Sequence, residues 1–226
     1  PYGIIAIMAS TIATSDFSGI WTLCKFMIAS YAALLTMYVI HLIILAIMGI
    51  NPIRYVKKTL EVLIFAFTSR SSAGALPLNV QTQTQRLGVP EGIANFSASF
   101  GLSIGQNGCA GIYPAMLAIM VAPVAHVDID IPFILTLIGV VVISSFGVAG
   151  VGGGATFASI LVLSTLNLPV ALAGVLISIE PIIDMGRTAL NVNDSMLAGT
   201  GTARLTGNLD KEKFNSNHYG ELSTES

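Results

Sequence analysis

The stretch Glu180-Pro-Ile-Ile-Asp-Met-Gly-Arg-Thr-Ala-Leu-Asn-Val-Asn-Asp-Ser195 decides how this chain folds. On a helix turning about 100° per residue, with Glu180 at 0°, Asp184, Arg187, Thr188, Asn191, Asp194 and Ser195 fall at about +40, −20, +80, +20, −40 and +60°. The polar side chains therefore fill a stripe roughly 120° wide. Ile182, Met185, Ala189 and Val192 lie on the opposite side. The neighbouring sequence is apolar, so the stripe reads as the polar face of a helix inside a membrane. Each charge there costs about 2.5–3.5 kcal/mol on insertion scales, and four cost roughly 10 kcal/mol unless paired. Along this helix Glu180, Asp184 and Asp194 stand against Arg187 alone, which leaves −2 if all are ionised. A transported cation, a substrate ammonium or retained protons would answer that imbalance.

Working outward, the composition agrees. Of 226 residues, 54% are hydrophobic and 10% charged, with a mean hydropathy of +0.80. Soluble domains carry about 25% charged residues. A net charge of −2 offers no electrostatic footprint for nucleic acid. Cys24 and Cys109 sit in apolar stretches and read as small buried residues rather than a disulfide framework. The chain opens on Pro1 in mid-apolar sequence, so it is expected to be a fragment of a longer, multi-pass membrane protein. Neither residues 92–127 nor residues 131–179 contain an Asp, Glu, Lys or Arg. A crossing needs roughly 20 apolar residues.

The pattern predicts helices over 20–50, 52–68, 77–87, 93–121, 132–146, 155–166 and 170–202, with an apolar span ending near 13. Helix 93–121 is expected to break at Gly101, Gly105, Gly108 and Gly111. Pro181 frees a carbonyl one turn earlier. Residues 208–226 are polar and expected to be disordered. Segments 77–87 and 155–166 reach only about 16–18 Å, against an apolar core near 30 Å. Each follows another short helix across a Ser- or Gly-rich turn, at 70–74 and 147–154. That is the pattern of a re-entrant helical hairpin. Irregular backbone at membrane depth survives only beside protein or a polar cavity, so both turns should point at an internal site. Paired interrupted segments of this kind mark transporter sites.

Arg54, Lys57, Lys58 and Arg86 flank the first hairpin, and Arg204, Lys211 and Lys213 follow the last helix. Asp16, Asp128 and Asp130 occupy the alternate turns. By the positive-inside rule the first hairpin and the C-terminus face the cytoplasm, and the second hairpin enters from outside. His41 is read as a packed or interface histidine.

Three ordered motifs carry a resemblance: Phe67-Thr-Ser-Arg-Ser-Ser-Ala-Gly-Ala-Leu-Pro77, the glycine turn at 147–154, and Asp184-Met-Gly-Arg-Thr-Ala-Leu-Asn191. They resemble the dicarboxylate/amino acid:cation symporters, the glutamate-transporter fold, over nearly the whole chain. The resemblance implies an all-α polytopic fragment, the transport half. It assigns residues 1–50 to transmembrane helices 5 and 6, 51–91 to re-entrant hairpin 1, and 92–127 to helix 7. Residues 128–169 become re-entrant hairpin 2, 170–205 the polar helix 8, and 206–226 a cytoplasmic tail.

The resemblance also implies roles. Asp184 would hold the substrate ammonium and Arg187 a distal carboxylate, which suits a planar guanidinium. Asn191 and the Ser71–Ser72 turn would hold the α-carboxylate, with Arg70 and Thr188 beside them. Gly150, Val151, Gly152, Gly153 and Gly154 would close as the outer gate. Ser103, Gln106, Asn107, Glu180, Asn191, Asp194 and Ser195 fall at cation-coupling positions. Two departures bear on the ion. The family's helix 7 motif Asn-Met-Asp-Gly-Thr reads here Gly105-Gln-Asn-Gly-Cys109, and the helix 8 aspartate expected to ligate sodium is Ser195. Sodium is then left to the backbone of Ser103, Gln106, Ser145, Phe146 and Val148. Burial disfavours charge on a carboxylate, so protons are expected to carry at least part of the coupling, with Glu180 as carrier.

The motifs around 145–157 and 179–192 are most similar to family members that take up L-cystine. The expectation is a cell-membrane L-cystine symporter, not an enzyme, with no cofactor beyond the coupling H+ or Na+. It would work by elevator-like alternating access, contact membrane lipid, and form homotrimers through the missing N-terminal half. The alternative is a glutamate/aspartate or C4-dicarboxylate symporter. Cystine has two ammonium–carboxylate ends, so Arg187 does not by itself require an acidic substrate.

Overall fold

The computed structural model describes residues 17–148, 153–170 and 179–216. Within them the chain is helical, with no strand. The expected apolar span ending near 13 lies outside the described residues, as do Gly150, Val151 and Gly152.

Helix α1 (Phe17–Ile47) is the long apolar helix, begun and ended three residues earlier than its pattern predicts. Asn51 caps α2 (Pro52–Ser69), its side chain accepting from the Arg54 amide, with Pro52 at the first turn. The chain turns at Arg70, which adopts a left-handed conformation (φ 55°), and returns through α3 (Leu76–Gln81). A π-helical turn, Thr82–Arg86, continues it. Near the base of the two arms, the Lys58 ammonium on α2 donates to the Arg86 carbonyl at 2.8 Å. Residues 52–86 thus form a helix–turn–helix.

The expected break in the next segment falls where its glycines cluster. Helix α4 (Glu91–Ser103) stops at an extended Ile104, Gly105 takes φ 92°, and a π-helical turn (Asn107–Ile112) leads into α5 (Tyr113–Val121). Gly108 is dictated by packing: a Cβ there would stand 2.9 Å from Arg187 Cα. Helices α6 (Ile131–Ser145) and α7 (Gly154–Thr165) form the second short pair. Asp130 caps α6 through the Phe133 amide at 2.8 Å. The described part of the last long helix, α8 (Glu180–Leu205), has Pro181 in its first turn, where a missing N–H costs nothing.

One expectation fails. The described part of the tail, residues 208–216, is not disordered: Asp210 caps a short helix, α9 (Lys211–Asn215), and Leu209 and Phe214 are buried. Overall polarity hid two apolar anchors and a capping aspartate.

Helix α8 is the spine. Val192, Met196 and Ala203 share a core with Leu45 of α1, Tyr55 and Val62 of α2, Leu87 and Ala94. A second core joins Val121 to Leu137, Val162 and Leu163 of the second pair. Phe26, Cys109, Tyr113, Leu117, Ala155 and Ile183 form a third. The exterior is apolar, and large polar side chains are buried alongside the apolar cores. Arg187, Lys58, Gln83 and Gln106 are among the largest fully buried side chains, while Ile47, Ile143 and Ile131 are 81, 75 and 72% exposed. In water that inversion would cost apolar hydration and polar desolvation together; in lipid it lowers both. Phe17–Ile47 contains one stretch, Leu23–Ile47, long and apolar enough to cross a membrane, and Glu91–Val121 is another.

Candidate functional site

The polar stripe of α8 faces inward, and two hairpins meet it. Arg187, 1% exposed, donates through one terminal nitrogen to Glu180 Oε1 and to Asp184 Oδ1, each at 3.1 Å. Its guanidinium carbon lies 4.2 Å from the centre of the Tyr113 ring, a cation–π contact. Its Nε and other terminal nitrogen make no hydrogen bond among the described residues. Arg70, at the tip of the first hairpin, donates from Nε to the other oxygen of Asp184 at 3.1 Å. Asp184 is therefore clasped by two guanidiniums.

This corrects the charge count made along the helix alone. Arg70 comes from a residue far away in sequence and, with Arg187, balances Glu180 and Asp184. Asp194 lies apart from that group, 3.2 Å from His41 Nε2. His41 is buried, its other ring nitrogen 3.1 Å from the Asn193 amide, and Tyr55 donates to that amide's oxygen at 3.0 Å. The histidine thus packs as expected, but against polar partners.

The remaining residues of the first tip are close by. Ser71 Oγ accepts from the Gly74 amide at 3.0 Å, and Ser72 is buried. Thr188 is buried next to Arg187. Asn191 fastens α8 to the π-helical turn. Its oxygen accepts from the Gly108 amide at 2.7 Å, and its nitrogen donates to Gln106 Oε1 at 2.9 Å and Cys109 Sγ at 3.1 Å. Gln106 donates in turn to the Gly101 carbonyl at 2.6 Å. Ser195 accepts from Asn79 at 2.7 Å and donates to the Val192 carbonyl. Gln83 donates to Asn79, and Ser97 donates to Gln83. Asn79, Gln83 and Ser97 were not picked out from the sequence. For Asn79 and Gln83 the only signal there was the polarity of the short 77–87 segment; Ser97 lies in the apolar 93–121 segment, where nothing set it apart as a site residue.

These contacts test the sodium positions. The side chains of Gln106, Asn191 and Ser195 are neutral oxygen donors, each engaged with protein partners. Ser103 is exposed and donates to the Ser99 carbonyl. Asn107 Oδ1 packs close to Gly111. Of the backbone oxygens, that of Gln106 accepts from the Ala110 amide at 2.6 Å. Phe146 is exposed, and Val148 is buried with Ala110 and Ala158. Ser145 ends α6, its hydroxyl donating to Val142. Among the described residues no cluster of three or more His, Cys, Asp or Glu is placed to hold a metal.

Among the described residues, the second pair reaches α8 through one side-chain hydrogen bond. Thr156 donates to Glu180 Oε2 at 2.9 Å. Gly153, with φ 86°, and Gly154 start α7 beside it. Glu180 thus joins Arg187 to the second hairpin, just as Asp184 joins Arg187 to the first.

Comparison with known proteins follows the same lines. The Sodium:dicarboxylate symporter family matches residues 1–205. A protein named L-cystine uptake protein TcyP from Shouchella clausii is 69% identical over 215 residues, 95% of this chain and 46% of that protein. Proteins of the same name from Bacillus licheniformis and Bacillus anthracis are 66% and 62% identical, over 95% of this chain and 46% and 47% of theirs. The chain spans about half the length of the curated relatives it matches.

Proposed function

Because the chain belongs to the sodium:dicarboxylate symporter family, we propose that the protein is a secondary active symporter importing L-cystine with a coupled cation by alternating access. The relatives' printed name supports the substrate. The observation that carries the reading is Asp184 held between Arg70 and Arg187 inside an apolar exterior. L-Cystine has two ammonium–carboxylate ends: Asp184 offers an anion for one ammonium, and the two guanidiniums offer cations for the carboxylates.

In this reading the substrate ammonium competes with Arg70 for Asp184. The distal carboxylate takes the two Arg187 nitrogens that make no hydrogen bond. Asn191 and the Ser71–Ser72 turn receive the α-carboxylate. Residues 147–154 close over the substrate, and the Thr156–Glu180 bond holds that hairpin down. The two short helix pairs are re-entrant hairpins entering from opposite faces of the cell membrane. The C-terminus is cytoplasmic, lipid covers the apolar exterior, and the absent half carries a homotrimer interface.

For coupling, no step runs through sodium at Gln106, Asn191 or Ser195. A proton on Glu180 is the coupling ion proposed. A carboxylate arriving at Arg187 competes for the guanidinium that Glu180 shares, and protonating Glu180 removes the repulsion. The second guanidinium, Arg70, favours one alternative, a C4-dicarboxylate or acidic amino acid. Labelled L-cystine uptake by the full-length protein in vesicles, competed with unlabelled cystine, aspartate and succinate, separates the two. Block by cystine supports the first, and block by aspartate or succinate with none by cystine supports the second.

A further inference from the structure

At the base of the first hairpin, Lys58 is fully buried. Its ammonium donates to the Arg86 carbonyl at 2.8 Å, in the returning arm, and to the Lys213 carbonyl at 2.7 Å, in α9. It stands 5.7 Å from the centre of the Phe214 ring. The ion pairs among the described residues give it no carboxylate partner. A buried ammonium without a counter-ion is tolerated only while its protons find acceptors, and α9 brings one of them. Packing alone would be met equally well by an apolar side chain.

The rest of the tail grips both arms. The Asp210 amide donates to the Gly88 carbonyl at 2.9 Å. Gly88 has φ 71°, and a Cβ there would strike the Asp210 carbonyl. Lys213 donates to the Thr84 carbonyl at 3.3 Å, and Arg54 to Asn215 at 2.6 Å. Leu209 and Phe214 enter the core that holds Tyr55, Leu87 and Val89. Arg86 and Glu61 tie the arms together at 2.7 Å. The hairpin is thus attached to α8 at its tip by Arg70–Asp184, midway by Asn79–Ser195, and at its base by the tail that continues α8.

We propose that residues 209–216 are a strap that Lys58 locks across the base of the first hairpin, making Lys58 a positioning residue for Arg70, Ser71 and Ser72 at the tip. The substrate consequence rests on the transport reading above; the mechanical part does not. Freed from the strap, the Lys58 ammonium meets water, the arms lose their common anchor, and the tip samples positions away from Asp184.

The test uses the full-length protein in lipid vesicles, comparing wild type, a chain ending at Asn208, Lys58→Gln and Lys58→Arg. Amide hydrogen exchange at residues 69–76 should quicken about tenfold in the first two variants, while residues 154–165 stay unchanged. The KM for labelled cystine should rise about fivefold with maximal rate changed less than about twofold, and Lys58→Arg should recover most of both. Unchanged exchange at 69–76, or quickening confined to 84–90, would overturn the proposal. If the shortened chain does not fold, Phe214→Ala decides by the same exchange readout. A protein that takes up no cystine still reports exchange, so failure of the substrate reading is separable from failure of the strap.

Discussion

Replacing Asp184 by Asn keeps the volume and removes the charge. In the structure that charge is shared by Arg70 Nε and Arg187, both at 3.1 Å. The two contacts differ in weight. Arg187 is 1% exposed and keeps Glu180 as a partner, whereas the Arg70 side chain is 37% exposed. Breaking a buried pair costs about 3–5 kcal/mol, but an exposed pair contributes only about 0–1 kcal/mol. Because Arg187 retains Glu180 and Arg70 can reach water, the fold should lose no more than about 1–2 kcal/mol. The substrate ammonium has no such substitute, so its loss should take the full figure for a buried partner, about 3–5 kcal/mol, or more than 100-fold in affinity. Cystine uptake and binding by full-length Asp184→Asn in vesicles, with membrane amount measured alongside, is the assay. The expected outcome is normal membrane content with uptake abolished. Uptake at the wild-type level would refute the ammonium role of Asp184.

Other consequences are equally direct. Arg187→Ala should reduce cystine uptake more than uptake of short neutral amino acids, as measured in parallel with labelled alanine and serine. Glu180→Gln should remove the stimulation of uptake by an inward proton gradient; uptake that needs sodium, ignores the pH gradient and survives this variant contradicts the proton reading. Gly108→Ala pushes a methyl against the Arg187 backbone and should cost about 1–3 kcal/mol, read as a lowered melting temperature in detergent.

The stripe on α8 was legible because polar side chains in an apolar helix are costly enough to need a purpose, and helical spacing alone shows that Glu180, Asp184, Arg187 and Asn191 share a face. The two helix pairs were legible from length, since neither 77–87 nor 155–166 can span an apolar core. Other features depend on the three-dimensional meeting of distant segments. Arg70 was singled out only by motif; its pairing with Asp184 needs the hairpin tip seated on α8. Asn79, Gln83 and Ser97 show no period that distinguishes a buried amide network from a solvated face. The π-helical turns at 82–86 and 107–112 pack against α8, where Gln83 lies close to Gly199 and Gly108 to Arg187, contacts that no local propensity records. In the tail, composition outweighed a readable cue: Asp210 before a helix-forming pair of lysines, with Phe214 one turn on.

The most direct measurement is uptake of labelled L-cystine by the full-length protein reconstituted in vesicles, with and without an imposed cation gradient. The account predicts concentrative uptake that collapses when the gradient is dissipated and is blocked by excess unlabelled cystine but far less by aspartate. Absence of gradient-driven cystine uptake in vesicles that concentrate aspartate or succinate would contradict it.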